Sequence, residues 1–188
     1  AAALVPAPNA CHERGEDKTL VSIPAGVEIA ALRGFLKGIS WDIPILRVMP
    51  NTCAAIGKGM LALTDGGVGN EAGLAAVEAI LADAGRVERI SEGLMDQYTA
   101  VAGCGPAYVY QFIEALADGG VMAGLPRAQA QTYAAQTVLG AAAMVLETGK
   151  HPGQLKDEVC SPGGSTIVGV AALEENGFRS AAIQAVMA

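Results

Sequence analysis

Aromatic side chains are scarce in this 188-residue chain, at 4% of the sequence, although hydrophobic residues make up 52% of it. The apolar surface is therefore carried by Ala, Val, Leu and Ile, and small side chains of that kind suit helices packed closely on one another. Positive charge is also in short supply. Twelve Lys and Arg stand against nineteen Asp and Glu, for a formal net charge of -7 and a pI near 4.8. The basic residues are scattered, which excludes a nucleic-acid backbone as partner. Long apolar runs are missing as well: the most apolar stretch, around Ala141–Leu146, is bounded by Gln136 and Glu147 and falls short of the roughly 18 residues that span a bilayer. No membrane segment is expected. Cys11, Cys53, Cys104 and Cys160 show no C-x-x-C spacing, so neither a zinc site nor a disulfide framework is indicated, and free thiols in a reducing cytoplasm are the expectation.

What is present divides the chain into two unequal parts. In the first, short β-prone runs at Thr19–Ile23, Ile43–Met49, Gly59–Thr64 and Arg86–Ile90 alternate with helical spacing over Val27–Leu36, followed by Gly38, and over a stretch capped by Asn70 with Leu74, Val77, Ile80 and Leu81 on one stripe. That alternation predicts an open α/β sheet. From Glu92 onward the pattern is helical. Met95–Val101 runs into Gly103-Cys-Gly-Pro106, which breaks or kinks it; Ala107–Val121 and Ala128–Leu146 are long helices, and a further helix runs from Thr166 toward Glu175. The ligand cleft is expected where sheet and helices meet. A mean hydropathy of +0.37 with long Ala-rich stretches predicts more apolar helix surface than a monomer covers, hence a homo-oligomer.

The most informative segment lies between two of these helices. In Leu155–Ile167, Gly163 and Gly164 permit a tight turn that brings bare N–H groups close to a ligand, and Ser165 and Thr166 add two hydroxyls as a helix begins. N–H groups exposed at a helix start favour an anion such as a small carboxylate. Elsewhere, Gly57-Lys-Gly59 is the nearest approach to a G-x-G-x-x-G phosphate turn, but the short apolar run and Asp65-Gly-Gly67 that follow do not make a helix, and it is rejected.

Lys156-Asp157 and Ser161-Pro-Gly-Gly-Ser-Thr-Ile167, together with Arg47–Thr52, Gly103–Tyr108, Glu114–Val121, Gly124–Arg127, Gln136–Ala141 and His151–Leu155 in the same order, resemble the pyrroline-5-carboxylate reductase family. The likeness runs from about Leu20 to the last residue. It implies an α/β part followed by an all-α part: residues 1–92 as the C-terminal portion of a Rossmann-like, parallel-sheet nucleotide domain, and residues 93–188 as a helical dimerisation and substrate-binding domain. The strand, G-x-G-x-x-G turn and helix that open the family's nucleotide domain are expected to lie outside this sequence, as are some C-terminal residues.

The resemblance further implies hydride transfer from NADPH or NADH to the imine carbon of pyrroline-5-carboxylate, giving L-proline. Ser161, Gly163, Gly164, Ser165 and Thr166 are implied to meet the substrate, with Thr166 as positioner and proton relay, and Glu92 to line the same pocket. Ala25, Gly26, Val27, Pro50 and Asn51 are implied to form the cofactor floor, and Glu158 to help hold the cofactor through a hydroxyl or its own backbone, since a carboxylate repels phosphate. No metal is required, and the homodimer or larger assembly interlocks through the helical part. The chain departs from the family's usual serines at Ala102, Cys104 and Cys160, and has Cys53 for a usual proline. Two rivals stay open: a dehydrogenase acting on a β-hydroxyacid, which needs a catalytic lysine and has only Lys150 and Lys156 after Lys58, and an oligomerising helical module without activity.

Overall fold

The near-continuous apolar run Ile45–Met49 decides how the first part is built, because a strand of that kind is buried on both faces and sits inside the sheet. The computed structural model describes residues 18–37 and 43–188; Cys11 and Gly38 lie outside them. The described chain forms two compact units, one ending at Pro106 and one spanning Ala107–Ala188. In the first, β1 (Leu20–Ser22), α1 (Ile29–Leu36), β2 (Ile45–Met49), β3 (Gly59–Thr64), α2 (Glu71–Leu81) and β4 (Gly85–Arg89) form a four-stranded sheet in the order β1-β2-β3-β4. Leu46 and Val48 point to one face and join Leu61, Leu63, Leu74 and Val77 in a core against α2. Ile45, Arg47 and Met49 point to the other face, as the twofold period of a strand requires.

The sheet is mostly parallel, with one exception. β1 pairs β2 and β3 pairs β4 in parallel, but β2 and β3 are antiparallel. Their connection holds only a 3-10 turn over Thr52–Ile56, and a parallel crossover takes about a dozen residues or more. The Gly57-Lys-Gly59 segment has packing reasons for its glycines. Gly57 closes the 3-10 turn at φ +69, and a Cβ on Gly59 would lie 2.9 Å from Ala54 and from the Ala84 carbonyl.

The turn into α2 is built by side chains. Asp65 accepts from the N–H groups of Gly67 (2.8 Å) and Asn70 (2.7 Å), and Asn70 caps Gly73 N–H at 3.1 Å. Burial pushes the Asp65 carboxyl up, but the backbone N–H groups of Asn70, Gly67 and Gly69 outweigh it and hold it below the ordinary carboxylate value. After β4, a 3-10 turn (Glu92–Leu94) leads into α3 (Met95–Tyr98) and then a π turn over Thr99–Gly103. The Tyr98 hydroxyl donates to the Met60 carbonyl at 2.6 Å, and burial pushes its pKa up to about 12. The expected kink at Gly103 takes the form of this π turn, with Cys104 N–H donating to the Thr99 carbonyl at 2.8 Å. A side chain at Gly103 would crowd Thr99 at 3.1 Å and Met49 at 3.4 Å.

The second unit is helical throughout: α4 (Gly105–Met122), α5 (Arg127–Thr148), α6 (Pro152–Glu158), α7 (Ser165–Glu175) and α8 (Phe178–Met187). α4 and α5 meet through Ala117, Ala130 and Ala134, flanked by Ile113 and Val121. Small residues let them approach: a Cβ on Gly120 would lie 3.3 Å from Ala130. α6 and α8 are additions to the sequence reading. Gly149, Pro152 and Gly153 read as breakers, yet Pro152 occupies the first helical turn and His151 Nδ1 accepts from Gly153 N–H at 3.0 Å. α8 is fixed by Phe178, 5.5 Å from the Phe112 ring, and by Tyr108, whose hydroxyl donates to the Ala185 carbonyl at 3.0 Å.

Candidate functional site

β1 and β2 are parallel, so the turns that follow them leave the sheet at one edge, the carboxyl edge where open α/β sheets receive ligands. Ala25, Gly26 and Val27 sit in the first of these turns, with Ala25 and Gly26 exposed. Gly26 has φ +70, and no atom lies within 4 Å of where a Cβ would stand, so glycine serves the backbone conformation there and not a close contact. Pro50 and Asn51 form the second turn. Asn51 uses both ends of its amide: Oδ1 accepts from Cys53 N–H at 3.2 Å, and Nδ2 donates to the Ala102 carbonyl at 2.9 Å. The side chain thereby ties the 3-10 turn to the π turn.

Glu92 is engaged inside this same unit. Its Oε1 accepts from Ile29 N–H, the first N–H of α1, at 2.8 Å, and lies 3.3 Å from Arg47 Nη1. The N-cap residue of α1, Glu28, makes no side-chain cap, so Glu92 supplies from 63 positions away the anion that a helix start favours. Arg47 is only 2% exposed. Its in-register neighbours are Ser22 on β1 and Thr64 on β3, 6% and 4% exposed, so a buried polar stripe crosses the sheet. Arg47 Nε has no hydrogen-bond partner among the described residues.

In the helical unit, Ser161–Gly164 form a turn closed by Gly164 N–H to the Ser161 carbonyl at 3.0 Å. Pro162 and Gly163 take its central positions, and Gly163 has φ +67, the left-handed value that a type II turn reserves for glycine. Gly164 is the N-cap of α7 and carries no side-chain cap. A Cβ on Gly164 would lie 2.4 Å from Ser161 Oγ and 3.2 Å from the Ser161 carbonyl oxygen, so a side chain there would displace the Ser161 hydroxyl and press on the turn. Ser165, Thr166 and Ile167 are exposed, and the first N–H groups of an eleven-residue helix have no side-chain cap and carry the partial positive charge of a helix start.

Glu158 ends the preceding helix. Lys150 Nζ donates to its two oxygens at 2.8 and 3.0 Å, and Gln154 Nε2 donates at 3.0 Å. Lys150 first and Gln154 second hold the carboxyl below its usual range. Lys156 donates to Asp157 Oδ1 at 2.5 Å. Both lysines that a β-hydroxyacid dehydrogenase would draw on are thus held by carboxylates. Cys53, Cys104 and Cys160 carry no disulfide, and His151 Nδ1 is occupied as the α6 cap.

The residues missed by sequence reading are Arg47 and its neighbours. The one signal is a charged side chain inside the apolar run Ile43–Met49, which reads as a strand residue until the register shows what flanks it.

A family model described as pyrroline-5-carboxylate reductase dimerisation matches residues 92–188. The chain is 49% identical over 180 residues to the pyrroline-5-carboxylate reductase of Synechocystis sp., covering 92% of this chain and 67% of that protein. To that of Escherichia coli it is 48% identical over 170 residues, covering 90% and 62%. The chain thus spans about two thirds of the length of these relatives. Among solved structures, Plasmodium falciparum pyrroline carboxylate reductase with NADP bound matches with a TM-score of 0.81 at 38% identity, over 90% of this chain and 67% of that one. The Streptococcus pyogenes enzyme matches with a TM-score of 0.82 at 37% identity, over 90% and 64%.

Proposed function

We propose that this chain, which belongs to the pyrroline-5-carboxylate reductase family, serves the reduction of 1-pyrroline-5-carboxylate to L-proline. The observation that carries the reading is the uncapped start of α7 behind the Ser161–Gly164 turn. The N–H groups of Ser165 and Thr166 bind the substrate carboxylate, which a helix start favours through both hydrogen bonds and partial charge. Ser161, Gly163 and Gly164 shape the turn that leaves those groups bare. The Thr166 hydroxyl, one residue into the helix, holds the ring nitrogen as it gains its proton. A hydroxyl is too weak an acid to do more than place and relay, so its contribution is orientation and a hydrogen bond to the forming amine.

Ala25, Gly26, Val27, Pro50 and Asn51 form the floor for a nicotinamide cofactor, NADPH or NADH, and the open left-handed turn at Gly26 is the observation that fits a flat ring laid on backbone. The bound cofactor supplies the hydride that adds to the imine carbon. Glu158 meets the cofactor through a hydroxyl or its backbone, with Lys150 beside it. Glu92 enters this reading as framework, because its carboxylate is engaged by Ile29 and Arg47.

The protein works as a homodimer or larger homo-oligomer. Support comes from the helical unit's apolar exposure: Met122 is 90% exposed, Leu146 71% and Met187 79%, large apolar side chains that a second copy would cover. No helix among the described residues is long and apolar enough to cross a membrane, and the unpaired described cysteines favour a reducing cytoplasm. The test is the intact enzyme mixed with pyrroline-5-carboxylate and NADPH or NADH. Cofactor oxidation with formation of L-proline is expected, and its absence with both cofactors would reject the reading.

A further inference from the structure

The segment 23–28, which holds the proposed cofactor turn, is flanked by the backbone ladder partner of Arg47 at its start and by a hydrogen bond to the Arg47 ion-pair partner at its end. At its start, Ser22 is the register partner of Arg47 in the β1–β2 ladder. At its end, Ile29 N–H donates to Glu92, and Glu92 is the ion-pair partner of Arg47. The guanidinium is 2% exposed as a residue, and its own side chain stands at 3% against 21% for Glu92. A charge placed so deep is costly unless something compensates it. The single contact to Glu92 at 3.3 Å leaves Nε without a partner among the described residues. The pair is thus poorly arranged as a source of stability. It is well arranged to fix where α1 begins, and so where Ala25, Gly26 and Val27 stand.

We infer that Arg47 and Glu92 are positioning residues for the cofactor: they clamp the 23–28 segment in its binding-competent form and act on NADPH through that turn, without touching substrate. The inference rests on the proposed function. A turn that is competent only part of the time weakens binding in proportion to the lost fraction, so the effect belongs in cofactor affinity. The imine, bound by α7, should not register it.

The test uses the intact enzyme with NADPH as probe. Arg47→Met leaves Glu92 without its charge partner and is expected to raise the NADPH dissociation constant about tenfold, if the competent fraction falls to about a tenth. Amide exchange across residues 25–30 is expected to speed up, with the imine KM changed less than about twofold. Arg47→Lys keeps the charge and is expected to recover part of the affinity. Glu92→Gln keeps an oxygen for Ile29 N–H and sheds only the charge, so it is expected to show a smaller loss, about threefold, and it decides the matter if Arg47→Met does not fold. NADPH affinity and exchange equal to wild type in folded Arg47→Met or Glu92→Gln would overturn the inference while leaving the proposed function intact. So would a rise in imine KM with NADPH affinity unchanged, which would return Glu92 to the substrate. A wild-type enzyme that binds no NADPH or NADH would overturn the parent reading and this inference with it.

Discussion

Thr166→Ala in the intact enzyme is expected to lower kcat/KM for pyrroline-5-carboxylate about 10²-fold, within the range found when one preorganised hydrogen-bond donor is removed from a reacting centre. Thr166 is exposed in the first turn of α7, and alanine is a good helix former, so the helix and its N–H groups survive the change. The substrate carboxylate keeps its anchor. What disappears is the hydroxyl at the ring nitrogen, whose hydrogen bond strengthens as the amine forms, so the loss should fall on kcat more than on KM. Thr166→Ser restores the hydroxyl and is expected to recover most of the rate. Steady-state kinetics of the two variants check this; a Thr166→Ala enzyme within about threefold of wild type would remove Thr166 from the chemistry.

The second large effect falls on stability. Gly85→Ala is expected to cost about 4 kcal/mol, at the upper end for forced overpacking combined with backbone strain. Gly85 opens β4 opposite Gly59 in the β3–β4 register, and the two backbones approach so closely that a Cβ would lie 2.1 Å from the Gly59 carbonyl oxygen and 2.5 Å from its nitrogen. Both obstacles are backbone, which cannot swing aside as a side chain can. The residue also has φ +144, a value that L side chains rarely adopt. Gly67→Ala separates the two causes: its φ is +81 with nothing within 4 Å of the added carbon, so only conformational strain remains, about 1 kcal/mol. Thermal or denaturant unfolding of both variants measures the difference, and equal stabilities would contradict the packing argument.

These effects trace back to features of unequal visibility in the sequence. The strands and long helices are legible because apolar spacing is a local signal. Gly57 and Gly59 are correctly refused as a phosphate turn, since the residues after them carry a strand, and β3 begins at Gly59. The antiparallel step from β2 to β3 is not carried by either strand's pattern, but the short connection between Met49 and Gly59 is visible in the sequence, too short for a parallel crossover. α6 is hidden by its own start signal: Pro152 and Gly153 read as breakers, and only the cap from His151 turns the same proline into a helix opener. The Ser161–Thr166 turn is readable because glycine at Gly163 has a backbone reason, its φ of +67. Glu92 stands out as a charge, but its partners lie 45 and 63 positions away, and no local pattern carries contacts of that separation.

The central claim is that the bare N–H groups opening α7 hold the substrate's carboxylate. A crystal structure of the intact enzyme with bound L-proline tests it most directly. The account predicts the carboxylate oxygens within hydrogen-bond distance of the Ser165 and Thr166 N–H groups, about 2.7–3.2 Å away, with the ring nitrogen beside the Thr166 hydroxyl. A carboxylate bound elsewhere, with the Ser161–Gly164 turn facing only solvent, would contradict it.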